Sequence, residues 1–96
     1  MQEIIKINVV KQLDGVNFSL SPSAKEKIKK LFPKASPRNS IFVNDNAYND
    51  FHLYIGKLEK YIYPLLFGID DKVINPKKTR IIFIDPLSSK TLYTVK

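Results

Sequence analysis

Hydrophobic and polar residues alternate along the first twenty positions of the chain. The apolar members of this pattern are Ile5, Ile7, Val9, Leu13, Val16, Phe18 and Leu20. Such alternation is typical of strands with one buried face. Asp14-Gly15 lies between the two runs and favours the type I′ turn of a hairpin. The sequence therefore predicts a hairpin over residues 3–20, with Val9 opposite Leu20 and both facing the core.

A period of three to four residues replaces the alternation over residues 22–32 and predicts a helix. Its apolar stripe consists of Ala24, Ile28, Leu31 and Phe32. Pro22 suits the first helical turn, and Ser23 with Glu26 has the spacing of a capping box. Pro33 closes the helix, and the loop that follows carries further proline and serine.

A short strand at residues 41–43 precedes a second predicted helix from about Ala47 to Tyr63. Asn44-Asp45-Asn46 supplies candidate N-caps for it. The residues that recur at helical spacing are Tyr48, Phe51, Ile55, Leu58, Ile62 and Leu65. Pro64 is expected to end or kink the helix, and Gly68 to occupy its C-terminal left-handed position.

Two strands complete the pattern. Residues 80–84 are apolar on both faces, which predicts a central strand, and residues 91–95 form its return partner. The fold class is therefore α+β, in the order ββαβαββ. We expect a mixed or antiparallel sheet of four or five strands with two helices on one face. A chain of 96 residues is long enough for one core, which predicts a single domain over residues 1–96.

The amino-acid composition indicates the cellular compartment in which the protein is expected to act. The chain has no cysteine, although small secreted domains usually depend on disulfides. No apolar run approaches the ~20 residues that span a bilayer. We expect no membrane association and a cytoplasmic location, in the host cytoplasm if the chain is viral.

The charge of +7 is unevenly distributed along the chain. Residues 21–40 carry a net +5, residues 41–71 a net −3 and residues 72–96 a net +5. Two basic segments around an acidic one suit a polyanionic partner. The candidate anion-binding residues are Lys25, Lys29, Lys30, Lys34, Arg38, Lys77, Lys78 and Arg80. The alternative is that these lysines only solvate the surface, since AT-rich codons enrich a chain in lysine, isoleucine and asparagine.

The second helix carries several tyrosines, and not all of them can face the core. Tyr54 and Tyr61 are seven residues apart and share a stripe beside the apolar one, and Tyr63 follows closely. Exposed tyrosine is enriched at protein interfaces. Tyr54, Tyr61 and Tyr63 are therefore the candidate residues of a protein interface, with rim packing of their hydroxyl groups as the alternative.

Catalytic and metal-binding patterns are missing from the sequence. The one histidine, His52, has no partner that the sequence identifies, and three glycines exclude a phosphate-cradling glycine-rich loop. Asp70-Asp71 lacks further ligands at the spacing of a cation site. We therefore expect a protein that is not an enzyme and has neither cofactor nor metal.

One resemblance covers about a third of the chain. Val-Asn-Phe-Ser-Leu-Ser-Pro-Ser-Ala-Lys-Glu-Lys-Ile-Lys-Lys-Leu, residues 16–31, resembles the opening strand and helix of RelE/ParE-type toxins. Residues 80–85 and 91–95 are similar to the final hairpin of those toxins. The additional first strand and the long second helix depart from that family's pattern. The resemblance implies a small ribonuclease toxin, with His52, Lys77, Arg80 and Tyr93 as its candidate residues.

The sequence thus favours a small, basic, non-enzymatic binding protein. Its expected partner is nucleic acid or a nucleoprotein, and its expected role is that of an accessory or inhibitory protein of a phage or mobile element. The second hypothesis is a protein–protein adaptor or inhibitor that uses the tyrosine-bearing helix. The ribonuclease toxin is the third.

Overall fold

The computed structural model describes residues 3–45 and 50–94. The strands and helices are β1 (Glu3–Gln12), β2 (Gly15–Ser19), α1 (Pro22–Leu31), β3 (Ser40–Val43), α2 (Phe51–Ile62), β4 (Thr79–Asp85) and β5 (Lys90–Thr94). A π-helical turn, Tyr63–Phe67, extends α2, and a 3-10 turn, Asp71–Val73, follows it. The predicted α+β class and the ββαβαββ order are confirmed. Within the described residues, no helix combines the length and apolar character needed to cross a membrane.

The sheet has five strands in the order β3-β2-β1-β4-β5. β1 and β4 run parallel, and the other neighbouring pairs are antiparallel. Residues 80–84 form an interior strand as predicted, with β1 on one side and β5 on the other, although β1 itself occupies the centre of the sheet. The expected burial of both faces is wrong: Ile82 and Ile84 are half-buried, on the face that the helices leave open.

The hairpin formed by β1 and β2 has a different register from the predicted one. Val9 pairs with Phe18 rather than Leu20, and Leu13-Asp14 forms the turn in place of Asp14-Gly15. Leu13 is consequently 88% exposed. Because side chains alternate with a period of two, this two-residue shift leaves each strand's faces unchanged. Val9 and Leu20 are both buried, so the predicted faces are confirmed although the pairing is wrong.

One hydrophobic core lies between the sheet and the two helices. The sheet contributes the inward-facing residues of its three middle strands, among them Ile7, Phe18 and Phe83, which are fully buried. The rings of Phe18 and Phe83 meet edge to face at 6.1 Å between centroids. Ile28 of α1 and Ile55 of α2 belong to the same core, so both helices cover the same face of the sheet.

The helix ends follow local hydrogen-bonding chemistry. The N-cap of α1 is Ser21, whose Oγ accepts from the Ala24 amide at 3.2 Å, and not the predicted Ser23. Asp50 caps α2 by accepting from the Leu53 amide at 3.2 Å. The predicted start of α2 at Ala47 lies outside the described residues. The α-helix ends at Ile62, beside Pro64 as predicted, and a π-helical turn carries the chain on to Gly68, which is left-handed at a φ of 74° as predicted.

Candidate anion-binding surface

The loop after α1 is held in place by the segment after α2. The Ser36 amide donates to the Phe67 carbonyl at 3.0 Å, and the Arg38 amide donates to the Leu66 carbonyl at 2.8 Å. Gly68 permits this crossing, because a Cβ there would lie 2.9 Å from backbone atoms of Ser36. These backbone hydrogen bonds hold the loop that carries Lys34 in a defined position.

Asn75 organises the second basic segment. Its side-chain oxygen accepts from the Lys77 amide at 2.9 Å, and its carbonyl accepts from the amides of Lys78 and Thr79 at 3.0 and 2.9 Å. The Glu3 amide donates to the Lys78 carbonyl at 2.8 Å. These bonds fix Lys77 and Lys78 at the end of the sheet where β1 and β4 begin.

The two basic segments meet at a groove of about 510 Å³. Lys34 lines it from the α1 side and Lys78 from the β4 side. Its apolar lining includes Phe32, Ile69 and Val73. Residues that are more than forty positions apart in sequence thus lie on one surface.

We define the basic end as Lys29, Lys30, Lys34, Lys77 and Lys78, all of which are exposed. In residues 3–45 and 50–94, the only ion pair joins Lys27 to Glu3, at 3.8 Å. No lysine of the basic end therefore forms an ion pair with a described carboxylate. Lys29 and Lys30 also occupy the last turn of α1, where the helix dipole favours cations.

The remaining candidate cations lie elsewhere. Lys25 is half-buried, and its Nζ donates to Asn39 Oδ1. Arg38 is exposed in the loop that its amide anchors to Leu66. Arg80 is exposed on the outer side of β4, opposite Ile4 in the strand register. The structure therefore brings together the end of α1 with residues 77–78, and separates Arg80 from them onto the other face of the sheet.

The tyrosines do not form a shared exposed surface. Tyr54 is 8% exposed, and its hydroxyl donates to the Asp45 carbonyl at 3.2 Å. Tyr63 is 3% exposed and stacks on Phe67, while Tyr61 is 60% exposed. The predicted stripe of exposed tyrosine is wrong, because the core-facing side of α2 is rotated towards Tyr54. Tyr48 lies outside the described residues.

His52 is held against β5 by a hydrogen bond and a ring contact. Its Nδ1–H donates to the Leu92 carbonyl at 2.8 Å, and its ring meets Tyr93 edge-on at 4.8 Å. These contacts tie α2 to β5, together with the close approach of Gly56 to the Tyr93 ring. Arg80 points to the opposite face of the sheet, so the four residues of the ribonuclease hypothesis are not gathered at one site.

The acidic residues near the end of α2 are explained by local structure. Asp70 Oδ1 accepts from the Lys72 amide at 3.0 Å, and this bond lowers the pKa of Asp70. Burial raises the pKa of Glu59. The positive charge of Lys60 opposes this rise, and the nearby carboxylate of Asp71 adds to it. Burial also raises the pKa of the Tyr63 hydroxyl, with the carboxylate of Glu59 contributing. No group of three metal-ligating side chains occurs among the residues that the structure describes.

The outer face of the sheet is uncovered, as the predicted packing of both helices on one face implies, although the sequence analysis did not single it out as a candidate binding surface. We define the open face by the outward-facing residues of four strands. They are Ile4, Lys6, Asn8, Val10 and Gln12 of β1, Gly15, Asn17 and Ser19 of β2, Ser40 and Phe42 of β3, and Arg80, Ile82 and Ile84 of β4. Ile4, Val10 and Phe42 are 42%, 40% and 46% exposed there. The signal available in the sequence was the number of elements, because two helices cannot cover both faces of five strands.

Comparison of the chain with protein-family models, with curated proteins and with solved structures found no match. The function must therefore be inferred from the surfaces described above.

Proposed function

We propose that this protein is a non-enzymatic nucleic-acid-binding module whose basic end contacts phosphate groups. Its target would be nucleic acid, either alone or within a nucleoprotein. It would act in the cytoplasm, as an accessory or inhibitory protein of a phage or mobile element. The absence of cysteine suggests the cytoplasmic location, and the small size and lysine-rich composition of the chain suggest the accessory role.

The observation that supports the proposal is the convergence of the two basic segments at one groove. Lys34 and Lys78 line it together, and Lys29, Lys30 and Lys77 are exposed nearby along the chain. A purely solvating role for lysine does not require distant basic segments to converge. Lysine acts on phosphate as a point charge without base specificity, so the expected binding is independent of sequence.

The test is the salt dependence of binding to a short DNA duplex, measured by fluorescence anisotropy. Each neutralised phosphate releases condensed counterions, so five lysine contacts predict a log–log slope of about −4 to −5. Reversing Lys29 and Lys78 to glutamate should weaken binding to all sequences alike and reduce the slope by about 2.

The matched control is the double reversal of Lys57 and Lys90, which changes the net charge by the same amount. Lys57 lies on α2 and Lys90 begins β5, and both are exposed. We expect this variant to keep most of the duplex affinity and the slope. Equal losses in both variants would show that only net charge matters, and absence of salt-dependent binding in the unmodified protein would refute the proposal.

A further inference from the structure

The open face combines apolar, amide and cationic side chains without a carboxylate. None of its residues is aspartate or glutamate, and Lys6 and Arg80 are both exposed on it. Asn17 lies between Val10 and Phe42 in the register of the three strands. With neighbouring strands about 4.8 Å apart, this face offers a surface roughly 15–20 Å wide.

Phe42 is an exposed aromatic ring held in a defined position. It belongs to the short edge strand β3, where it pairs with Asn17. Gly15 lies against the tip of the ring, since a Cβ on this glycine would come within 2.9 Å of Phe42 Cζ. The ring is therefore supported by the sheet and remains 46% exposed, which is the arrangement that base stacking needs.

The positive charge of the open face indicates which kind of partner it would bind. A second copy of the chain would place Lys6 and Arg80 of both copies against a face without acidic residues, between molecules that each carry +7. A polyanion with apolar ring faces complements both features: its phosphates suit Lys6 and Arg80, and its bases suit Phe42 and the neighbouring apolar side chains.

The open face adjoins the basic end along the chain, although the two lie on different sides of the sheet. Arg80 follows Lys78 by two residues on the same chain segment, which corresponds to about 7 Å along a strand. Lys27 lies at the same edge, where its Nζ donates to the Ile4 carbonyl at 2.9 Å. A strand of nucleic acid that leaves the basic end therefore meets Arg80 on its path onto the sheet, whereas the charge of Lys27 is paired with Glu3 at 3.8 Å.

We propose that the open face binds an unpaired stretch of nucleic acid, with Phe42 stacking on a base and Lys6 and Arg80 contacting phosphates. This inference rests on the proposed function, because the basic end supplies the phosphate contacts that bring the strand to the sheet. Duplex bases are already stacked on one another, so Phe42 distinguishes a single strand from a duplex.

The test uses a tryptophan reporter and a truncation at the same position. The chain has no tryptophan, so Phe42→Trp introduces a single indole on the open face. A short oligodeoxythymidylate should quench its fluorescence, whereas Leu87→Trp, in the exposed turn between β4 and β5, should be unaffected. Phe42→Ala should weaken single-strand binding about tenfold, within the range for one stacked base, and leave duplex affinity and its salt slope unchanged.

The outcomes separate this inference from the proposed function. Single-strand affinity that is unchanged in Phe42→Ala, with the salt-dependent duplex binding intact, overturns the role of the open face alone. If the unmodified protein binds neither single-stranded nor duplex DNA, both proposals are overturned. A dimer by sedimentation that Phe42→Ala converts to a monomer assigns the face to a second copy and also overturns the inference. Circular dichroism confirms that each variant is folded.

Discussion

At the scale of single residues, two tyrosines of the core differ in how their hydroxyl groups are satisfied. The Tyr54 hydroxyl donates to the Asp45 carbonyl, whereas the Tyr63 hydroxyl is buried and has no hydrogen-bond partner among the residues that the structure describes. A buried donor without a partner costs about 1–3 kcal/mol, and a typical satisfied bond contributes about 1 kcal/mol. The same substitution should therefore have opposite effects at the two positions.

We expect Tyr63→Phe to raise the free energy of unfolding by about 1 kcal/mol, because it removes an unsatisfied hydroxyl and keeps the ring that stacks on Phe67. Tyr54→Phe should lower it by about 1 kcal/mol. Urea denaturation of both variants at neutral pH measures the difference. A loss of stability in Tyr63→Phe would show that its hydroxyl has a partner, such as a buried water molecule.

At the scale of elements, β3 is attached to the sheet through a close approach of its backbone to β2. A Cβ on Gly15 would collide with the Val43 carbonyl oxygen, so the glycine is required for contact and not for its φ. Gly56 of α2 is a milder case, because a Cβ there meets only ring atoms of Tyr93, at 3.2 Å or more.

Gly15→Ala should destabilise the protein by about 1–3 kcal/mol or more, since the clash is with backbone and cannot be relieved by a rotamer change. Gly56→Ala is the matched control: replacing glycine within a helix gains about 0.5–1 kcal/mol, which offsets the small displacement of Tyr93. Chemical denaturation of the two variants tests the ranking. Equal stabilities would mean that β3 moves away from β2 without cost.

At the scale of the whole molecule, repulsion among the basic residues opposes folding. The net charge is +7, and the single ion pair among the described residues is Lys27–Glu3. The described molecule measures 35 × 25 × 23 Å. The Debye length is about 30 Å at 0.01 M salt and about 8 Å at 0.15 M, so low salt allows most of these charges to repel one another.

We therefore expect the melting temperature to rise when sodium chloride increases from about 10 to about 150 mM, because screening removes more repulsion than attraction. The Lys29→Glu, Lys78→Glu variant, with a net charge of +3, should show a smaller rise. Thermal unfolding followed by circular dichroism measures both. A melting temperature that falls with salt would indicate that attractive charge pairs dominate.

The sequence by itself determined which segments form strands and helices, and which side of each strand faces the core. These properties depend on the spacing of side chains along a few turns or pleats, which a local pattern contains in full. Val9 and Leu20 illustrate the point, because both remain buried although the hairpin register differs from the predicted one. The charge segregation was likewise visible from composition along the chain.

The tertiary structure alone decided the strand order, the rotation of α2 that buries Tyr54, and the meeting of Lys34 with Lys78. Each depends on contacts between residues distant in sequence, to which local periodicity is blind. The outer side of β4 is the clearest case: Ile82 and Ile84 have the pattern of a strand buried on both sides, yet both helices pack on the opposite face. Whether an apolar side chain is buried depends on what covers it, and only the assembled fold determines the cover.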